Sequence, residues 1–171
     1  MHDQPCGTVK TAVLPKVLAG AFLFAAAAWG CRDGQAEKGP AWVEIAGRRW
    51  NVKLAVSQAQ RTDGLAGVRD LAEDEGMLFI FPRAEVQKFW MRGCLIPLDV
   101  AFIDERMQVV AVHTMRVEAE GAELPTYSSG VPVLFALEVG AGGLAAAGVR
   151  TGDTVAFSPG IWHVTKGRGR P

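Results

Sequence analysis

Between Trp42 and Phe157 short apolar-rich runs alternate with turn residues, the rhythm of a domain built from short strands. Residues 42–45 and 49–56, separated by Ala46-Gly47-Arg48, predict a hairpin. In its second strand Trp50, Val52, Leu54 and Val56 share one face, and Arg49, Asn51 and Lys53 share the other. Residues 77–81 form a continuous apolar strand that Pro82 is expected to stop, because proline has no N–H to give to a ladder. Residues 86–91 are bulky and predict a further strand. Arg92 and Gly93 break that run, Pro97 holds Ile96 extended, and residues 98–103 pair with 108–115 across the turn Asp104-Glu105-Arg106. Residues 133–139, with Glu138 as their only charge, and a last strand after the turn in VRTGDTVAF complete the sheet.

Helical signals are few. Ser57 followed by Gln60 makes a capping box, so a short helix is predicted to run to Asp63 or Ala66 and to end near Gly64 or Gly67. A second, Ala-rich helical turn is predicted over residues 142–148. These elements predict one α+β domain over residues 41–158, mainly antiparallel, curled into a barrel-like sheet or a half-open sandwich, with the edges at Trp42 and the closing strand meeting. The polar segment 116–130, holding Glu118, Glu120, Glu123 and Tyr127, is expected to be a mobile loop lying over a site.

Ahead of the domain, Lys10 and Lys16 precede the 13 apolar-rich residues 17–29, which fit the core of a secretory signal and fall short of the ~20 residues needed to span a bilayer. The run ends in A-A-W-G-C, which resembles a bacterial lipobox. Residues 1–31 therefore predict export to the periplasm or cell envelope, with acylation of Cys31 as the membrane anchor and plain secretion by nearby cleavage as the alternative. The acidic opening MHDQPCGT suits a signal poorly, and a start at Val9 suits it better. Residues 32–40 form a tether, and 159–171 a basic, Gly-rich tail. With Cys6 removed and Cys31 acylated, Cys94 is left as a single thiol, so the domain is expected to stand on its core without a disulfide. Eighteen basic residues balance eighteen acidic ones across the chain, which argues against nucleic acid as a partner.

The central stretch FWM, then IPLDVAFID, then VVAVHTM, resembles the domain of unknown function 192 family (DUF192), whose members typically read WMKNT-x-IPLDIAFID and VV-x-IH-x-M. The earlier LAVSQAQRTDGLAGVRDLAEDEGMLFIFP and the later FALEVGAGGLAAAGVRTGDTV are similar to the family's opening and closing halves, in order and at the right spacing from Leu54 to Val155. Two positions depart from the pattern. Gly93-Cys94 stands where Asn-Thr is usual, and Leu65-Ala66 where Leu-Met is usual. The family has no settled activity, so the resemblance implies a fold more than a function.

The chemistry-bearing residues gather around Pro97. Trp90, Met91, Arg92, Cys94, Asp99 and His113 are the candidate binding residues. Asp99 interrupts an apolar strand and must find a donor, a cation or water, because an unpaired buried carboxylate is costly. His113 has apolar neighbours and no second histidine at ligand spacing, so no metal is predicted, and no cofactor. The acidic run Glu73-Asp74-Glu75 lacks the spacing of a calcium loop. There is no G-x-S-x-G elbow, Walker A loop, HExxH, CxxC or dinucleotide fingerprint. The function expected is a binding module, taking a small polar ligand, a glycan or an envelope protein on an aromatic and acidic surface. The alternatives are a hydrolase using Asp99 and His113 with Cys94, and an envelope scaffold without a pocket. The pattern leans away from an enzyme.

Overall fold

A computed structural model describes residues 39–119 and 121–161. The proposed signal, Cys31, most of the tether and residues 162–171 of the basic tail lie outside the described residues, while Ile161, assigned to that tail, is buried in the core. Among the described residues seven strands and two short helices follow in the order β1 (Trp42–Ile45), β2 (Arg48–Ala55), α1 (Gln58–Asp63), β3 (Glu75–Phe89), β4 (Leu98–Ile103), β5 (Val109–Met115), β6 (Tyr127–Gly140), α2 (Gly143–Ala146) and β7 (Val155–Phe157), and residues 159–161 are helical again. Among the described residues no helix is long and apolar enough to cross a membrane.

The strands form one sheet in the order β5-β4-β6-β3-β2-β1-β7, antiparallel throughout except where β2 meets β3. It curls into a half-barrel. The expected meeting of edges occurs: Val43 of β1 pairs with Phe157 of β7, and a bridge from Gln108 to Thr154 ties the start of β5 to the far edge. Val43, Trp50, Leu78, Ile103, Phe135, Leu137 and Phe157 fill the enclosed, concave face. The opposite face carries Phe79, Val100, Phe102, Met115 and Ala136, and is covered by Leu65 and Met91 from the segments beside it.

β3 is where the observed fold departs most from the pattern read along the chain. Pro82 does not stop the strand. The register passes from Ile80↔Phe135 to Glu85↔Val133, five steps on β3 against two on β6, so residues 81–84 bulge out of the ladder. Proline belongs at such a place because a bulged residue needs no ladder N–H. A second irregularity follows between Val86↔Pro132 and Lys88↔Ser128, with the extra residues now on β6 and Gly130 at φ 71°. Ser129, 4% exposed, stitches it: its hydroxyl accepts from the Gln87 N–H at 3.0 Å and donates to the Val131 carbonyl at 2.7 Å. Residues 127–130, expected in a loop, are thus the first residues of β6.

These bulges turn the β3–β6 ribbon back over the sheet. Ten residues of straight strand would separate Phe79 from Phe89 by ~33 Å, yet their ring centroids lie 4.9 Å apart, edge to face. Phe89 also meets Phe81 at 6.5 Å and Phe102 at 5.2 Å in the same geometry. Edge-to-face pairs contribute roughly 0.5–1.5 kcal/mol each beyond area burial, so Phe89 is the clasp of the folded ribbon. Phe89→Ala is expected to lower stability by about 2–4 kcal/mol in urea denaturation. Val86→Ala, at a position 48% exposed on the same arm, is expected to change it by less than about 0.5 kcal/mol.

Candidate functional site

Folding the ribbon back leaves a cleft of about 380 Å³ between α1, the β3 arm and the loop that follows β3. Its first wall begins at the helix predicted from Ser57. The capping box is present: the Ser57 hydroxyl accepts from the Gln60 N–H at 3.2 Å, and the Gln60 side-chain oxygen accepts from the Ser57 N–H at 2.8 Å. Arg61, one turn into α1, sends its guanidinium to the carbonyls of Val56 and Ile80, the second at 3.1 Å, where the β3 register breaks. The helix is thereby fixed to the bulge, and both line the cleft with Thr62, Asp63 and Pro82.

The opposite wall is the loop Trp90 to Cys94. Gly93 has φ 73°, and a Cβ there would lie 3.3 Å from the Ala66 Cβ, while its carbonyl accepts from the Gly67 N–H at 2.9 Å. Positive φ favours Gly and tolerates Asn, so Gly suits a position where the family pattern reads Asn. Trp90 is 48% exposed at the mouth with the Arg92 guanidinium 5.7 Å from its ring, and Cys94 faces inward.

At the inner end stands Glu138, in the middle of β6 between Met77 of β3 and Val100 of β4. It is 5% exposed, lines the cleft, and its Oε2 has no hydrogen-bond partner. Burial pushes its carboxyl up to about 8, so at neutral pH the group is mostly protonated. The Cys94 thiol is pushed up to about 11, first by burial and then by the Glu138 charge. A thiol so placed carries about 100-fold less thiolate at pH 7 than one titrating at 9. It is a poor nucleophile.

The predicted site residues divide. Trp90, Arg92 and Cys94 line the cleft; Met91, Asp99 and His113 do not. Met91 is 3% exposed and packs into the core beside Leu98 and Met115. Asp99 lies on the concave side, 1% exposed, where Oδ1 accepts from the Thr114 hydroxyl at 2.7 Å and Oδ2 from the Leu144 N–H at 3.1 Å. It ties β4 to β5 and α2, and leaves the loop before Pro97 to other contacts. His113 pairs in register with Val100, and Asp99 with Thr114, so the imidazole and the carboxylate point to opposite faces and no acid/base pair forms. The His113 ring donates from Nε2 to the Ser128 carbonyl at 2.9 Å, between Phe102 and Tyr127. It helps hold down the folded ribbon.

The segment expected to overhang a site does not line this cleft; α1 does. Among the described residues no group of three or more His, Cys, Asp and Glu stands close enough to hold a metal ion. Glu138 was visible in the sequence as the one charge in an apolar strand, the same signal that drew notice to Asp99.

Comparison with known proteins places this geometry in context. Residues 41–157 match the DUF192 family, described as "Uncharacterized ACR". No curated protein matches the chain. Two solved structures are similar. One, from Sinorhizobium meliloti and described as a "putative transcription regulator", is 33% identical with a TM-score of 0.62, over 68% of this chain and 92% of that one. The other, a protein of unknown function from Novosphingobium aromaticivorans, is 28% identical with a TM-score of 0.59, over 68% of this chain and 83% of that one.

Two outcomes follow from the site's electrostatics. Glu138 holds a proton in the folded state between the ordinary carboxylate range and about 8, whereas the unfolded chain releases it near 4.3, so stability falls as pH rises through that window and levels off above it. Glu138→Gln is expected to abolish that loss, on the order of a few kcal/mol, and to be more stable than the parent at pH 9 in denaturant titrations. Iodoacetamide labelling of Cys94 in the folded chain is expected to be slow at pH 7 and to accelerate toward pH 11; an acceleration complete by pH 8 would contradict the raised thiol.

Proposed function

Because the chain belongs to the DUF192 family, which supplies a fold without an activity, we propose that it is a cell-envelope module, anchored through an acylated Cys31, that binds a small molecule in the cleft beneath Trp90. The supporting observation is Glu138: a buried carboxyl oxygen without a partner, lining an open cleft. Such a group is expensive to keep in a fold that gains nothing from it, and a ligand is the partner it lacks. The volume falls in the range of small-ligand sites, and the exposed Trp90 ring gives a ligand a flat apolar surface at the mouth.

The hydrolase reading needs Asp99, His113 and Cys94 together. They stand on two faces of the sheet, and the thiol is protonated. The scaffold reading needs a surface without a pocket, and the cleft argues against it. The neighbour described as a regulator lends this chain no nucleic-acid partner, because eighteen basic residues are matched by eighteen acidic ones.

Purified full chain incubated with envelope extract is expected to retain small molecules detectable by mass spectrometry after denaturation, and Trp90→Ala is expected to retain them at least about tenfold less. Equal retention by both proteins would place the binding elsewhere. Palmitate labelling in cells, lost in Cys31→Ser, is the expected sign of the anchor; labelling unaffected by that change would remove it.

A further inference from the structure

Taking the cleft as the binding site, as argued above, we infer that its ligand is a small organic acid or amide with a flat apolar body, seated so that a carboxylate or carbonyl oxygen receives a hydrogen bond from Glu138.

Among the described residues no cation forms an ion pair with that carboxyl. The ion pairs among the described residues, Arg49 with Glu44 and Arg83 with Glu85, lie at the surface. A buried carboxyl without a cation keeps its proton and becomes a donor, and the Cys94 S–H beside it is a second, weaker donor. What complements two donors at the inner end of the cleft is an oxygen that accepts. A carboxylate oxygen is the better acceptor, because hydrogen bonds to an ionised partner are roughly twice as strong as neutral ones.

The rest of the cleft suits the same ligand. Phe79, Phe81, Phe89 and Trp90 line it with ring surfaces. Arg61 is engaged with the carbonyls of Val56 and Ile80, and the other charged residues are two bases, Lys88 and Arg92, and two acids, Asp63 and Glu85, of which Glu85 is already paired with Arg83 at 2.7 Å. An anion passing this rim enters a net positive field. An ammonium group would be repelled by that field and would have to strip the proton from Glu138 before pairing with it.

The pH dependence follows from the groups that face Glu138. α1 presents Arg61 and Asp63, the β3 arm Glu85 and Lys88, and the loop after β3 Arg92 and Cys94. Along the row of the sheet, His113 of β5 stands beyond Val100, and Lys53 of β2 beyond Met77. Since the Glu138 carboxyl titrates at about 8, an acceptor ligand keeps its affinity below that pH and loses about tenfold per pH unit above it. A cationic ligand would gain affinity as pH rises toward 8.

Benzoate, benzamide and benzylammonium present one ring with three heads, and serve as probes. The full chain is labelled with 5-fluorotryptophan, its Trp90 ¹⁹F resonance is assigned from Trp90→Phe, and each probe is titrated at pH 6.5 and 9.5. Benzoate and benzamide are expected to shift that resonance at pH 6.5, with benzoate binding at least about tenfold weaker at pH 9.5. Glu138→Gln, which keeps an N–H donor and cannot titrate, is expected to bind benzoate equally at both pH values, and Glu138→Ala to lose it. Tighter binding of benzylammonium than of benzoate, or benzoate binding unchanged in Glu138→Ala, would overturn the assignment of the ligand and leave the cleft as a site. No shift by any probe would overturn both.

Discussion

Phe89 packs edge-on against Phe79, a residue ten positions earlier in the same strand, and that contact governs the site. It can exist only if the β3–β6 ribbon doubles back, and the ribbon doubles back only where its ladder is interrupted. Pro82 and the three extra residues of β3 provide one interruption, and Gly130 with the buried Ser129 provides the other. Once folded over, the arm no longer serves as sheet; it becomes a wall. The cleft is the space between that wall, α1 and the sheet surface beneath, so its shape depends on aromatic packing and on Arg61 satisfying the carbonyl of Ile80 at the break.

Among the described residues two carboxylates are buried, on opposite faces of the same sheet, and their surroundings separate their roles. Asp99 accepts from a hydroxyl and from a backbone N–H at the start of α2. Its lone pairs are used, and it acts as a brace. Glu138 sits one strand away among Met77, Val100 and Phe79, with an oxygen that meets no donor. The same physics underlies both: desolvation penalises the charged form, and only hydrogen bonds or an opposite charge restore it. Where these were supplied the group became structural. Where they were withheld the group kept its proton, and the open space beside it acquired a chemical direction.

The Gly93-Cys94 departure from the family pattern lies in the loop after β3 that walls the cleft. Gly93 lets the loop after β3 turn with positive φ and approach Ala66 closely, and it replaces the other residue type that accepts such a turn. Cys94, in place of a hydroxyl, puts a protonated thiol in the cleft instead of a stronger hydrogen-bonding group. The departure therefore suits a turn of positive φ and makes the loop less polar.

Strand alternation in Trp50, Val52 and Leu54, the capping box at Ser57 and the turn after Ile103 were legible along the chain, because each is set by neighbours within a few residues. So was the meeting of β1 with β7 as the closure of a curled, mostly antiparallel sheet. The face on which a polar residue lands, and what it meets there, was decided by register between strands far apart in sequence. Asp99 and His113 both read as lying beside Pro97, yet pairing Asp99 with Thr114 turned them apart. Pro82 read as an end and became a fold, because nothing local records that residues 85–89 will find β6 again beyond the bulge. Glu138 was visible as a lone charge, but its missing partner is a property of the elements gathered around it, and only their packing determined that the carboxyl would be buried beside the cleft without a donor.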